Sequence, residues 1–268
     1  MTLTAENFRS YFRSGGKAVN GWCGIPSTVT AEAMARAGFD MVTVDMQHGL
    51  VDFQVTLEML QVMAVSPAPK IVRIPWNEPG IAMKVLDAGA TGIICPMINT
   101  ADEARALVQA TRYAPLGARS FGPLRVGSLY PNYVERANEL VQVFAMIETA
   151  EALENRDAIM AVEGLSGVYV GPSDLGLSMG YPPTLMPEEP AVLAAIADIL
   201  ASARKAGLTA GIHCGSATRV HEVLGQGFDF GSLSSDLGLF AEALTTGLEV
   251  AREGSHAKSV KASSSGSY

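Results

Sequence analysis

The stretch AEAMARAGFDMVTVDMQH, residues 31–48, contains one complete unit of the predicted fold. Its helical pattern of apolar residues ends at Gly38, and glycine suits the positive φ angle that commonly follows a helix. The run Met41–Met46 comes next and is rich in apolar and β-branched residues, as a parallel strand buried on both faces should be. Polar residues follow this run, beginning at Gln47. The stretch therefore predicts a helix, a tight turn and a buried strand.

The same unit occurs eight times along the chain. Glycines also end later helical patterns, at Gly89, Gly207 and Gly227. The predicted strands are Ala18–Ile25, Met41–Met46, Lys70–Pro75, Gly92–Met97, Gln142–Glu148, Gly167–Pro172, Thr209–Cys214 and Phe228–Ser232. The predicted helices are Thr30–Ala37, Val55–Val65, Ile81–Leu86, Ala101–Tyr113, Ala150–Val162, Ala191–Ala206, Ala217–Leu224 and Leu237–Arg252.

Eight strand–helix units in 268 residues favour an α/β fold, a single (β/α)8 TIM barrel over residues 1–255. The alternative is an open doubly wound sheet. The barrel is preferred because no GxGxxG or GxxxxGK[ST] phosphate-binding motif follows the first strand. Residues 114–140 are rich in Gly and Pro and predict a long functional loop. Residues 256–268, rich in Ser, Ala and Lys, predict a flexible C-terminal tail.

Amino-acid composition indicates which partners and which cellular compartment to expect. The net charge of −8 disfavours nucleic acid and anionic membranes. Three cysteines without a CxxC motif exclude a disulfide framework or a zinc ribbon and suit a reducing compartment. The longest apolar run, residues 191–203, is short and contains Asp198, and no apolar signal segment opens the chain. We therefore expect a cytoplasmic protein.

The active site of such a barrel lies at the carboxyl ends of the strands, where several charged residues occur. Glu148 and Asp174 end neighbouring strands, so their carboxylates would repel each other unless a cation or a proton lay between them. Two carboxylates and water are typical ligands of Mg²⁺ or Mn²⁺. Asp174 has another possible role, as the N-cap of a turn over Leu175–Met179.

Three further residues near this edge each have two possible roles. Arg73 lies on a buried strand and needs an anion, which would be either Asp45 or Asp87 in a structural pair, or an oxyanion of a substrate. His48 follows its strand and is either a general base or an ordinary loop histidine. Asp87 could orient His48 or be solvated. No lysine lies at this edge to form a Schiff base, and Cys214 lacks the surroundings of a nucleophile.

Several segments together resemble the HpcH/HpaI aldolase family, the metal-dependent pyruvate aldolases, from about residue 22 to residue 240. Members are barrels that release or consume pyruvate and typically form trimers of dimers. The segments are AGFDMVTVDMQH (37–48), VRIP (72–75), VLDAGA (85–90), PM (96–97), RYAPLGAR (112–119), IETA (147–150) and VGPSDL (170–175).

The resemblance implies a role for individual positions. Glu148 and Asp174 match the ligands of a divalent metal, Mg²⁺ or Mn²⁺ with Co²⁺ possible. Arg73 matches the residue that contacts the keto oxygen, and His48 with Asp87 matches a proposed base pair. The remaining matches concern substrate binding: the amides of Gly171 and Ser173 near the pyruvate carboxylate, and Trp22 as an aromatic wall.

Two positions depart from the family pattern. Gln47 stands where the family commonly has Glu, and Met146 stands where it commonly has Gln. They put substrate choice in doubt more than the metal site. The expected reaction is the reversible cleavage of a 4-hydroxy-2-keto acid to pyruvate and an aldehyde. Oxaloacetate decarboxylase and acyl-CoA lyase chemistry, or a non-catalytic metabolite-binding barrel, are the alternatives. The apolar face of Leu237–Arg252 could pack across a subunit boundary or simply be buried by its own barrel.

Overall fold

A computed structural model describes residues 1–253 as a closed barrel of eight parallel strands, hydrogen-bonded in chain order. The last strand pairs with the first, so the predicted barrel is confirmed and the open sheet is excluded. The predicted tail, residues 256–268, lies outside the described residues. The strands are β1 (Ala18–Cys23), β2 (Met41–Asp45), β3 (Lys70–Arg73), β4 (Gly92–Cys95), β5 (Gln142–Ile147), β6 (Gly167–Val170), β7 (Thr209–Cys214) and β8 (Phe230–Leu233).

Helices follow every strand, and short extra helices precede β1 and occupy the long insertion. None of the helices within residues 1–253 has both the length and the apolar character needed to cross a bilayer. The helices are α1 (Phe8–Arg13), α2 (Thr28–Arg36), α3 (Phe53–Val62), α4 (Pro79–Asp87), α5 (Ala101–Thr111), α6 (Val126–Leu129), α7 (Tyr133–Leu140), α8 (Ala150–Glu154), α9 (Arg156–Met160), α10 (Pro172–Ser178), α11 (Pro190–Ala206), α12 (Ala217–Gln226) and α13 (Asp236–Glu253), with a 3₁₀ turn over Met63–Val65.

The predicted elements differ from the observed ones mainly at their ends. The bounds of β7 are those predicted, whereas the predicted helix over 150–162 is two helices that meet at Asn155. The predicted turn with Asp174 as its cap is wrong: α10 already begins at Pro172 with Gly171 as its N-cap, so Asp174 lies inside the first turn. The loop predicted over 114–140 contains α6 and α7.

Apolar side chains form one large cluster between the strands and the helices and a second inside the barrel. The second arises because alternate residues of each strand point inward. At the amino end of the barrel, Phe8 and Phe12 of α1 pack against Phe144 and Phe230. Aromatic rings therefore fill much of the amino end, and a group of buried, hydrogen-bonded polar side chains lies further along the interior.

Candidate active site

Glu148 follows β5 and is the buried carboxylate of the site, with only 1% of the residue exposed. Its Oε1 accepts a hydrogen bond from the Met97 N–H at 2.8 Å. Burial raises the pKa of Glu148, the Met97 amide lowers it, and the nearby Asp174 charge raises it again, which leaves a pKa of about 7. A carboxylate held this way gains from a cation beside it.

Asp174 is exposed in the first turn of α10, one strand away from Glu148. Within residues 1–253 no three His, Cys, Asp or Glu side chains converge as a metal-binding cluster, so a metal bound at this edge would rest on the two predicted carboxylates and water. That donor set fits Mg²⁺ or Mn²⁺, since such ions commonly keep several waters and take only one or two protein carboxylates. The residues present therefore fit the metal that the sequence predicts.

Gly171, directly after β6, allows the chain there to lie close to Glu148 at the end of β5. A Cβ atom at this position would lie 2.4 Å from Glu148 Oε2, well inside van der Waals contact. Gly171 is also the N-cap of α10, and Ser173 lies in its first turn, where backbone N–H groups have no carbonyl partner within the helix. The predicted substrate-binding amides thus lie beside the carboxylate pair.

Arg73, at the end of β3, forms a two-pronged ion pair with Asp45 at the end of β2. Arg73 Nε lies 2.8 Å from Asp45 Oδ1, and Nη2 lies 2.6 Å from Oδ2. Burial raises the pKa of Asp45, but the hydrogen bonds and charge of Arg73 outweigh it and leave the pKa below its ordinary value. The structural alternative of an Arg73–Asp45 pair is therefore present. Within the described chain Nη1 makes no hydrogen bond and stays available for a substrate oxygen.

Trp22, at the end of β1, lies between Arg73 and the barrel interior. The Arg73 guanidinium carbon is 4.8 Å from the Trp22 ring centre, a distance typical of a cation–π contact. The indole Nε1 donates to Asp45 Oδ2 at 3.2 Å, and Tyr169 stacks on Trp22 at 5.7 Å. Asp45 and Trp22 thus fix the position of Arg73 from two directions.

His48 and Asp87 are the two predicted site residues that the structure does not join. His48 is exposed after β2, and its backbone N–H contacts Asp45 Oδ1 at 3.4 Å. The Asp87 carboxylate accepts a hydrogen bond at 2.6 Å from Arg119, a fully buried side chain of the 114–140 insertion. No hydrogen bond within residues 1–253 connects the His48 ring with Asp87, so their pairing stays a prediction.

Asp45 was proposed from the sequence as one of two partners for Arg73, but the Arg119–Asp87 pair and the contact of Tyr169 with His213 below Trp22 were missed. Tyr169 did carry a visible signal, because a polar aromatic residue interrupts the buried run of β6. Arg119 lies 32 positions from Asp87, and nothing local in the sequence indicates that contact.

The chain resembles known proteins over almost its whole length. The family model for HpcH/HpaI aldolase/citrate lyase matches residues 22–243. A hydroxypyruvate/pyruvate aldolase of Rhizorhabdus wittichii is 44% identical over 236 residues, which cover 88% of this chain and 94% of the relative. A 4-hydroxy-2-oxo-heptane-1,7-dioate aldolase of Shigella sonnei is 36% identical over 260 residues, which cover 96% and 98% of the two chains.

A solved structure supports the same assignment. A crystal structure of an HpcH/HpaI aldolase/citrate lyase family protein from Burkholderia cenocepacia J2315 superposes with a TM-score of 0.86 at 28% identity, covering 92% of this chain and 99% of that one. Barrel, family model and relatives cover the whole site described above. This chain therefore belongs to the HpcH/HpaI aldolase/citrate lyase family.

Proposed function

We propose that this protein is a metal-dependent aldolase that reversibly cleaves 4-hydroxy-2-keto acids to pyruvate, or a related 2-keto acid, and an aldehyde. The observation that carries the proposal is the buried Glu148 carboxylate, which lies near Asp174 and Arg73 and has no cationic hydrogen-bond partner among residues 1–253. The names of the two aldolase relatives support a carbon–carbon lyase.

Glu148 and Asp174 would hold the divalent metal, Mg²⁺ or Mn²⁺ with Co²⁺ as a further candidate. When bound, the metal supplies Lewis-acid polarisation of the keto group and so lowers the pKa of the neighbouring methyl group. The free Nη1 of Arg73 donates to the keto oxygen, where negative charge develops in the transition state. Because Asp45 fixes the other two guanidinium nitrogens, little reorganisation is needed when that charge appears.

The other predicted site residues bind the substrate and move its proton. The amides of Gly171 and Ser173 donate to the carboxylate of the keto acid, and Trp22 forms the wall beneath it. His48 accepts the methyl proton, either directly or through a water molecule. Asp87, whose carboxylate accepts a hydrogen bond from Arg119, is the residue that we propose to orient His48.

We also propose a cytoplasmic homo-oligomer, a trimer of dimers by family resemblance, that acts on small molecules and has no nucleic-acid or membrane partner. The last helix supports an oligomer. Leu237, Phe240, Leu244 and Leu248 share one face of α13 and are each about half exposed, at 51–58%. Apolar stripes of this kind mark contacts with other chains.

The function is tested by supplying the purified protein with a 4-hydroxy-2-keto acid and following the appearance of pyruvate. We expect cleavage in Mg²⁺ or Mn²⁺, its loss after chelation and its return when metal is restored. Oxaloacetate, assayed in parallel, distinguishes aldol cleavage from decarboxylation. Cleavage that survives complete chelation, or turnover of oxaloacetate alone, would overturn the proposal.

A further inference from the structure

A chain of polar side chains crosses the barrel interior directly below the site. The Tyr169 hydroxyl lies 3.0 Å from His213 Nδ1 and 2.6 Å from the Ser232 hydroxyl. Ser232 in turn contacts the side-chain amide of Asn20 at 2.8 Å, and Asn20 contacts Thr43. The proposed mechanism uses none of these residues, although Tyr169 and His213 both pack against Trp22, a residue of the site.

The orientation of Asn20 fixes the direction of every hydrogen bond in this chain. Backbone carbonyls only accept, so the Asn20 amide nitrogen faces the carbonyl oxygens of Met41 and Gly21, both at 3.2 Å. Its carbonyl oxygen then faces Ser232, whose hydroxyl must donate to it. This is the orientation in which both ends of the amide are satisfied.

The direction of the hydrogen bond at Ser232 determines the direction of the one between Tyr169 and His213. Because the Ser232 proton is committed to Asn20, its oxygen accepts the proton of the Tyr169 hydroxyl. A phenol has a single proton, so the Tyr169 oxygen can only accept from His213 Nδ1–H. The network therefore selects the tautomer of His213 that carries its proton on Nδ1 and leaves Nε2 bare.

The bare nitrogen is the one left free to meet a reactant. The two nitrogens of an imidazole point in diverging directions, so with Nδ1 bonded to Tyr169 in the interior, Nε2 is directed away from the network. His213 is partly exposed, whereas both of its neighbours in β7 are buried. Its ring packs edge-on against Trp22 at 4.6 Å, the same indole that carries Arg73. Nε2 makes no hydrogen bond within residues 1–253.

His213 also stays uncharged. Burial lowers its pKa to about 4, and the positive charge of Arg73 contributes in the same direction. A neutral ring whose Nδ1 is protonated can offer Nε2 only as an acceptor. The other groups assigned to the substrate, Arg73 and the amides of Gly171 and Ser173, are all donors and match oxygens that carry no proton.

We propose that His213 Nε2 accepts a hydrogen bond from a hydroxyl group of the substrate and so selects for hydroxylated reactants. The inference rests on the proposed aldolase function. The hydroxyl belongs either to the 2-keto acid, as in hydroxypyruvate, or to the aldehyde, as in glycolaldehyde. A site built to pair with a hydroxyl discriminates strongly against the analogue that lacks it, because the acceptor is then left without a partner.

The test compares matched reactants in matched proteins. One arm measures kcat/KM for hydroxypyruvate against pyruvate with a single aldehyde, and the other measures glycolaldehyde against acetaldehyde with pyruvate. The variant His213→Phe keeps an aromatic ring beside Trp22 but has no acceptor, and His221→Phe on the exposed surface of α12 is the control. In one arm we expect the preference for the hydroxylated partner to fall about tenfold or more in His213→Phe. His221→Phe should keep the wild-type preference.

The arm that responds identifies which reactant carries the hydroxyl. An equal ratio in wild type and His213→Phe, in both arms, would overturn the inference. Metal-dependent exchange of the pyruvate methyl protons is measured on the same wild-type samples. Exchange together with unchanged ratios refutes the role of His213 alone, whereas absence of exchange refutes the proposed function and this inference with it.

A spectroscopic measurement tests the tautomer without relying on turnover. Two-bond ¹H–¹⁵N correlation spectra distinguish protonated from bare ring nitrogens, and the His213 signals are those missing from His213→Phe. We expect Nδ1 protonated and Nε2 bare at neutral pH. Tyr169→Phe removes the acceptor of Nδ1 and should shift protons towards Nε2. A wild-type ring protonated on Nε2 would contradict the proposal.

Discussion

Arg73 is the residue on which substrate activation depends in this account. Replacing Arg73 with Ala removes the donor to the keto oxygen, so kcat/KM for aldol cleavage should fall by about 10²–10³-fold. Steady-state kinetics and circular dichroism of the same samples check activity and fold together. The control is Arg136→Ala, which removes an exposed arginine whose partner, Glu6, precedes α1 at the amino end of the barrel, opposite the site. A folded Arg73→Ala protein with near wild-type turnover would refute the assigned role.

His213 gives the stability of the protein a defined dependence on pH. Its pKa of about 4 in the folded chain lies below the ordinary value of 6.5, so the unfolded chain binds the proton more tightly between these values. The stabilising contribution is therefore complete above pH 6.5 and is lost as the pH falls towards 4, by at most about 3 kcal/mol. Burial is the main cause, while Arg73 and Asp45 act on the ring with opposite signs.

Urea unfolding of wild type and His213→Phe between pH 4 and pH 7 measures this contribution. Glu148 titrates in the same range in both proteins, so the difference between the two curves isolates His213. We expect wild type to lose more unfolding free energy on acidification than the variant does. Parallel curves would show that His213 is not held neutral by the fold.

Among the secondary-structure elements, the connection between β6 and α10 sets the geometry of the predicted metal site. A methyl group at Gly171 would press on the Glu148 carboxylate, so Gly171→Ala should weaken divalent-metal binding about tenfold or more. Isothermal titration with Mn²⁺ measures the loss. Gly225→Ala in α12 is the matched control, since its Cβ would meet no atom within 4 Å. This control should keep metal affinity and gain about 0.5–1 kcal/mol of stability. Equal affinities in the two variants would contradict the role of Gly171.

The strands could be predicted from sequence because each is a short apolar run, and a helix-ending glycine precedes four of them, β2, β4, β7 and β8. Gly38 and Gly227 do adopt positive φ angles, of 94° and 118°. The insertion could not be predicted in the same way. Its helix α7 has an apolar face of only a few residues, which is a weak helical signal. Tyr133 is held in place by a contact between its ring and the Arg119 guanidinium, and no local sequence pattern indicates that contact.

The strand-end carboxylates could be proposed from sequence because parallel strands deliver their carboxyl ends to one edge. Contacts between side chains of neighbouring strands could not be predicted, because they depend on side-chain direction and on the register of the strands. Arg73 had two possible acidic partners, and the pairing of Asp45 with Arg73 across β2 and β3 determined which it took. The same holds for His213, which lies opposite Ser232 because of the register between β7 and β8.

For the whole molecule, the exposed apolar face of α13 predicts association between copies. Phe240→Asp combined with Leu244→Asp should lower the mass measured by light scattering after gel filtration from a multiple of 28.1 kDa towards a smaller species. Thr246→Asp, on the opposite face of α13, should leave the wild-type mass unchanged. A monomeric wild type, or an unchanged mass in the double variant, would show that this face does not join subunits.

The central claim is that this barrel forms an enolate of a 2-keto acid with the help of a divalent metal. The most direct measurement is loss of the pyruvate methyl signal in D₂O, followed by NMR with Mg²⁺ or Mn²⁺ in one sample and EDTA in another. It requires no knowledge of the aldehyde. We expect exchange that needs the metal and disappears in Glu148→Gln. Exchange that continues after exhaustive chelation, or its absence in a folded, metal-loaded protein, would contradict metal-assisted enolate formation.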